Sequence, residues 1–128
     1  MGKKILVVDD EPSIRDLLKK IFSREGYSVT VAEDGETALQ LLKKELFPVI
    51  FVDLQMPGIS GLELCQQIRK DFPLSFMYAM TGFVSMFALT ECREAGFDDY
   101  FIKPVKRDLF LKTVREAFEK IERWKKKS

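Results

Sequence analysis

Five short apolar runs, each followed by a longer amphipathic stretch, constrain this chain more than any other feature of its sequence. The runs are Lys4–Val8, Ser28–Ala32, Val49–Val52, Phe76–Met80 and Tyr100–Ile102. Ile5-Leu-Val-Val8 and Val49-Ile-Phe-Val52 are apolar throughout, as strands covered on both faces must be. Ser28–Ala32 alternates polar and apolar residues, which suits an edge strand. Between the runs, Ile14, Leu17, Leu18, Ile21 and Phe22 form one helical face that Gly26 can end. A second helix is expected at roughly 36–46. Ser60-Gly-Leu-Glu63 reads as a capping box ahead of Leu64, Cys65 and Ile68. Ala88, Cys92 and Ala95 mark a fourth helix stopping at Gly96, and Phe110, Val114, Ala117, Phe118 and Ile121 mark a fifth. Five strand-then-helix units predict an α/β fold: a parallel sheet, helices on both faces and right-handed crossovers.

A chain of 128 residues suits a single domain. Residues 1–124 are assigned to it, leaving 125–128 as a basic helix tail or the stub of a linker. The net charge of +1 gives no electrostatic footprint for direct nucleic-acid binding. No apolar run approaches the ~20 residues that span a bilayer, and the N-terminal apolar stretch is too short for a secretory signal. Cys65 and Cys92 lie among apolar residues at helical spacing, as buried reduced thiols do. The expectation is a cytoplasmic protein with no membrane partner. The chain contains no histidine, which excludes Ser-His-Asp or Cys-His catalysis and a His-ligated zinc site. Any metal must take oxygen ligands, as Mg²⁺ and Ca²⁺ do.

Polar residues fall at the ends of the apolar runs: Asp9-Asp10, Asp53, Thr81 and Lys103. Singly, each has an ordinary explanation. Asp10 before Pro12 can cap a helix, Asp53 can open a turn, Thr81 can cap the next helix, and Lys103 can be a solvated charge. In a parallel sheet, however, all of them share one edge, and ligands bind at the carboxyl ends of such strands. Three clustered carboxylates repel unless a cation intervenes. Mg²⁺ takes one or two carboxylates with water and phosphate oxygens, and Thr81 and Lys103 offer the hydroxyl and charge that a phosphoryl group would use. The set points to phosphoryl transfer onto a carboxylate.

Ile5-Leu-Val-Val-Asp-Asp-Glu-Pro12, Val52-Asp-Leu-Gln-Met-Pro-Gly58 with Gly61, Met80-Thr-Gly82 and Ala95-Gly-Phe-Asp-Asp-Tyr-Phe-Ile-Lys-Pro104 together resemble the receiver domain of two-component response regulators, the CheY-like family. The resemblance runs from about Lys3 to Ile121. It implies a doubly wound sheet of strand order 2-1-3-4-5, with Asp53 as phosphoacceptor. Asp10 would ligate Mg²⁺ directly, Asp9 through water, and Gln55 by its backbone carbonyl. Lys103 would pair with Asp53 and then with the phosphoryl group, aimed by a cis Lys103–Pro104 peptide. Thr81 would bond a phosphoryl oxygen, beside a Gly82 that leaves room for backbone contact. Tyr100 would be the switch aromatic turning inward as Thr81 moves.

The implied partners are a sensor histidine kinase or histidine phosphotransfer protein, and a downstream effector protein or domain. The effector would read the surface of the fourth helix, fifth strand and fifth helix, through which a homodimer could also form. Such a domain is a signalling module rather than an enzyme, assisting only its own phosphorylation and dephosphorylation. Gln55 and Phe83 occupy the family's positions for tuning phosphate lifetime, and a bulky Phe83 is expected to slow hydrolysis by shielding the acyl phosphate. Phe83-Val-Ser-Met-Phe87 is unusually apolar, either as core or as a docking surface. Trp124 is a terminal packing residue or a linker contact.

Three other functions are distinguishable. A receiver that no longer takes phosphate would lack a member of the Asp, Thr and Lys set, and here all are present. A haloacid-dehalogenase-type phosphohydrolase wants Asp-x-Asp after the first strand and a cap. A flavodoxin-like binder wants a hydroxyl-rich loop where this chain has acids.

Overall fold

Strands that bury both faces must send alternate side chains into two separate cores, and β1 does so. In the computed structural model, which describes residues 3–83 and 85–127 (Phe87 by its backbone only), β1 spans Lys4–Val8. Ile5 and Val7 enter one core while Leu6 and Val8 enter the other. The remaining elements follow in strict alternation: α1 Pro12–Arg24, β2 Ser28–Ala32, α2 Gly35–Lys44, β3 Val49–Asp53, α3 Gly61–Asp71, β4 Phe76–Thr81, α4 Met86–Ala95, β5 Asp99–Ile102 and α5 Arg107–Lys127. The strands form one parallel sheet in the order β2-β1-β3-β4-β5. The alternating Ser28–Ala32 is an edge strand, as expected.

Helices α1 and α5 cover one face, α2, α3 and α4 the other. On the α1/α5 face, Phe51 sits at the centre of an aromatic cluster. Its ring lies 5.5 Å from Phe22, 5.2 Å from Tyr78 and 5.3 Å from Phe110, centroid to centroid. Trp124 extends this cluster toward the C-terminus by stacking on Phe76 at 5.7 Å, so it packs against the domain. Cys65 and Cys92 are buried free thiols, and burial pushes the Cys65 thiol up to about 12.

Boundaries differ from expectation in a few places. Strands β3 and β4 each extend one residue further, to Asp53 and Thr81, because the parallel ladder continues through Leu54 N–H to Met80 O at 2.9 Å and Lys103 N–H to Thr81 O at 2.8 Å. β5 begins one residue earlier, at Asp99. Helix α2 ends at Lys44 rather than position 46. Glu45 is already extended (φ −155°, ψ 159°) and ion-pairs with Lys4 at 2.7 Å, and Pro48 disfavours helical backbone at Phe47. Ser60 caps α3 by accepting from Glu63 N–H at 3.2 Å, but the Glu63 carboxylate takes a bond from the Ser60 hydroxyl instead of completing the reciprocal box. Lys125, Lys126 and Lys127 form the last turn of α5, where cations oppose the helix dipole favourably.

Phe51→Ala should lower the unfolding free energy in urea by ~3–5 kcal/mol, as expected for removing a fully buried aromatic ring. Leu74→Ala, at a side chain that is 74% exposed, should change it by less than ~0.5 kcal/mol.

Candidate functional site

Parallel pairing brings the ends of β1, β3, β4 and β5 to one edge of the sheet. Val8 lies opposite Val52, Asp53 opposite Met80, and Thr81 opposite Ile102. The next residues along are Asp9 and Lys103, and ladder bonds still hold their backbones: Asp9 N–H to Ala32 O at 3.1 Å and Lys103 N–H to Thr81 O at 2.8 Å. Gly61 supports the same edge, since a Cβ there would stand 2.7 Å from Leu54 Cα, directly against the end of β3.

The side chains make a concentrated charge cluster. Asp9 is 0% exposed and Asp53 2%. Asp9, Asp10, Glu11 and Asp53 offer carboxylate oxygens that all lie within 4.8 Å of one another. Lys103 Nζ faces three of them, 2.9 Å from Glu11 Oε1, 3.1 Å from Asp9 Oδ2 and 3.5 Å from Asp53 Oδ2. Backbone donors hold the inner oxygens in place: Glu11 N–H to Asp9 Oδ1 at 2.9 Å and Gln55 N–H to Asp53 Oδ1 at 3.2 Å. Among the described residues, Asp9 Oδ2 is the buried side-chain oxygen without a properly oriented hydrogen bond, so the Lys103 ammonium meets it as a bare ion pair.

Three carboxylates share one ammonium, and the two buried ones titrate accordingly. Burial raises the pKa of Asp9 above its ordinary value. Burial, and then the neighbouring Asp9 charge, push Asp53 up to about 7. Burial alone would lower Lys103, but its hydrogen bond to Glu11 and the close Asp9 and Asp53 carboxylates reverse this and raise it. Without an added cation, the cluster therefore tends to keep a proton near neutral pH. A hard divalent ion fits this donor set: oxygen ligands only, converging within a few ångströms, one of them buried and lacking a hydrogen bond.

The structure thus gathers Asp9, Asp10, Asp53 and Lys103. Thr81 lies on the same edge, but its hydroxyl is turned to its own loop, donating to Phe83 O at 2.8 Å and accepting from Phe83 N–H at 3.1 Å. Gln55 contributes its N–H to Asp53 and leaves its side chain exposed. Tyr100 is half-buried against the α2/α3/α4 core and lines a groove of about 680 Å³ with Leu89, Cys92 and Phe97. The Phe83 ring is 64% exposed. In the apolar stretch after β4, Met86 is also exposed and Ser85 caps α4 by accepting from Ala88 N–H at 3.1 Å. Val84 and the Phe87 side chain lie outside the described residues. The Lys103–Pro104 peptide is cis.

Two further residues touch the site. Glu11 was legible only as the acid following Asp9-Asp10. Arg15, which donates to Asp9 O at 2.7 Å, carries no motif that marks it.

A five-stranded doubly wound sheet with aspartates and a lysine at its carboxyl edge defines the CheY-like class of signalling domain. Residues 5–115 match the response regulator receiver domain family, and the chain belongs to it. It is 43% identical over 108 residues to the uncharacterized transcriptional regulatory protein YrkP of Bacillus subtilis, covering 84% of this chain and 46% of that protein. A CheY-like response regulator receiver domain protein of Methanospirillum hungatei superposes with a TM-score of 0.91 at 31% identity, covering 96% of this chain and 98% of that one. The response regulator TrrA of Thermotoga maritima, in complex with Mg²⁺-BeF, gives 0.81 at 36% identity, covering 90% and 98%. The chain spans half or less of the length of the curated relatives it matches. No helix among the described residues is long and apolar enough to cross a membrane.

The raised Asp53 pKa has a consequence for stability. The folded state holds this proton more tightly than the unfolded chain, so stability is fully present below about pH 4 and is lost as the pH climbs through about 7. In metal-free buffer, Asp53→Asn should therefore raise Tm relative to wild type at pH 8 and lose that advantage at pH 4. Each unit of difference between folded and unfolded pKa corresponds to about 1.4 kcal/mol. Melting curves at both pH values check this, and a pH-independent difference would contradict it.

Proposed function

We propose that Asp53 accepts a phosphoryl group from a phosphohistidine on a sensor kinase or phosphotransfer protein, in a Mg²⁺-dependent reaction. The observation that supports this best is the buried Asp9–Asp53 pair, with Asp9 Oδ2 lacking a hydrogen bond and Lys103 pressed against both. Asp10 and Asp9 would hold the metal, directly and through water, with Asp53 and the Gln55 carbonyl completing the protein ligands. When bound, Mg²⁺ neutralises the carboxylates and the charge developing on the phosphoryl oxygens. The TrrA complex with Mg²⁺-BeF shows that a related chain takes both components, which favours the same pair here.

Asp53 attacks phosphorus through a carboxylate oxygen as the phosphorus–nitrogen bond breaks. An acyl phosphate forms, and the imidazole leaves with the bonding electron pair. Gln55 N–H orients the attacking carboxylate through Oδ1. Lys103, on a backbone fixed by its bond to Thr81 O, supplies positive charge to the new phosphoryl oxygens. For Thr81 to donate to a phosphoryl oxygen, its hydroxyl must leave the Phe83 carbonyl. That rotation links the reaction to the loop before α4. Tyr100, half-buried beside α4, is placed to follow by turning inward. The resulting shift in the α4–β5–α5 surface would alter affinity for an effector protein or domain, or for a second copy.

Incubation with a small phosphodonor and Mg²⁺ should add one phosphoryl mass to wild type in intact-mass measurement and none to Asp53→Ala. Mass addition to both, or to neither beside a working control, would overturn the assignment. Phe83→Ala should shorten the lifetime of the modified form. An unchanged half-life would remove Phe83 as a shield.

A further inference from the structure

Of the three carboxylates around Lys103, the closest is not part of the reacting set. Glu11 Oε1 lies 2.9 Å from Nζ, whereas Asp53 Oδ2 lies at 3.5 Å. Backbone bonds hold Glu11 in place. It occupies the N-cap position of α1 in extended backbone, yet its side chain makes no capping bond. Its N–H is anchored to Asp9 Oδ1, and its carbonyl accepts from Ile14 and Arg15 N–H. The carboxylate is thereby carried across to a lysine 92 residues away, with the positive end of α1 beside it. Glu11 is also half-exposed, while Asp9 and Asp53 are buried, so its contact is the one a movement of Lys103 can give up most easily.

We propose that Glu11 is a positioning residue that competes with the phosphoryl group for Lys103, and so sets how strongly the site binds an incoming phosphoryl anion. This rests on the reading of Asp53 as phosphoacceptor. In the free site Lys103 is shared among three anions. A phosphoryl group on Asp53 would bring further oxygens toward Lys103, whose contact with Asp53 is the longest of the three. As Nζ turns toward those oxygens, the exposed Glu11 is the contact it releases, because Asp9 stays fixed in the buried cluster. Removing the Glu11 charge removes the competitor without touching Asp53, Lys103 or the aspartates assigned to the metal.

The probe is beryllofluoride, a phosphoryl-like anion that binds without chemistry, titrated at saturating Mg²⁺ and followed by fluorine NMR. Wild type, Glu11→Gln, Lys103→Met and the double variant are compared, and Mg²⁺ affinity is measured separately by calorimetry. Glu11→Gln is nearly isosteric at a half-exposed position, and its melting curve and circular dichroism verify folding. It should bind beryllofluoride about two- to fivefold more tightly, the range for one partly exposed charge contact. The gain should vanish in the Lys103→Met background, and Mg²⁺ affinity should fall by less than about fivefold.

Equal or weaker anion binding by Glu11→Gln would overturn the proposal. A gain that persists without Lys103 would do the same by revealing a general field effect. A larger loss of Mg²⁺ affinity would make Glu11 a metal ligand instead of a competitor. Wild type that fails to bind beryllofluoride with Mg²⁺ would overturn the phosphoacceptor reading and this inference with it. Wild type that binds normally while Glu11→Gln gains nothing overturns this inference alone.

Discussion

The fold buries two carboxylates side by side, Asp9 and Asp53, and much of the molecule is arranged around their repulsion. Burial raises both pKa values, and for Asp53 the Asp9 charge adds to it. What keeps the pair in place is the backbone: ladder bonds on either side, N–H groups of Glu11 and Gln55 on the inner oxygens, and Gly61 closing against the end of β3. A carboxyl pair of this kind is stable in its ionised form only with positive charge nearby. Lys103 supplies part of that charge, and the geometry leaves room in the donor set for a hard cation to supply more. The sheet itself does not need such an arrangement. Apolar residues at the same strand ends would be expected to hold the sheet more firmly.

The same edge explains how a local change in charge could reach the surface. Thr81 and Lys103 are joined through their backbones, while the Thr81 side chain is committed to the loop that leads into α4. A demand on the hydroxyl of Thr81 is therefore a demand on that loop. The far end of α4 is held differently. Gly96 takes up left-handed backbone (φ 107°), its carbonyl accepts from the Arg69 guanidinium, and Arg69 also bonds Pro73 O, Ser75 O and the Asp98 carboxylate. Asp98 in turn accepts from Met77 N–H at 2.8 Å. One end of α4 is thus tied to the sheet and to α3, while at the other Ser85 caps the helix by accepting from Ala88 N–H.

Most of the architecture could be read from the sequence because period and burial coincide. Apolar runs such as Ile5–Val8 and Val49–Val52, alternating with amphipathic stretches, read as doubly covered strands, and the meeting of Asp9, Asp53, Thr81 and Lys103 at one edge follows once those strands are parallel. What could not be read was direction at the level of single side chains. Thr81 shares the edge yet points its hydroxyl at Phe83, because an oxygen two residues away is easier to reach than one across the sheet. Glu11 lies in a run of three acids, and only the path of the backbone between β1 and α1 decides that its carboxylate reaches Lys103. Phe83 and Met86 were ambiguous between core and surface, since an apolar side chain carries no mark of which it will be; both are exposed.

The central claim is that Asp53 is held in a strained electrostatic state that a divalent cation relieves. Carbon-13 NMR of the Asp53 carboxyl, titrated with and without Mg²⁺, measures this directly. The account predicts a midpoint near 7 without metal and a fall toward the ordinary carboxylate range when Mg²⁺ is added. An ordinary midpoint in the metal-free protein, indifferent to Mg²⁺, would contradict it.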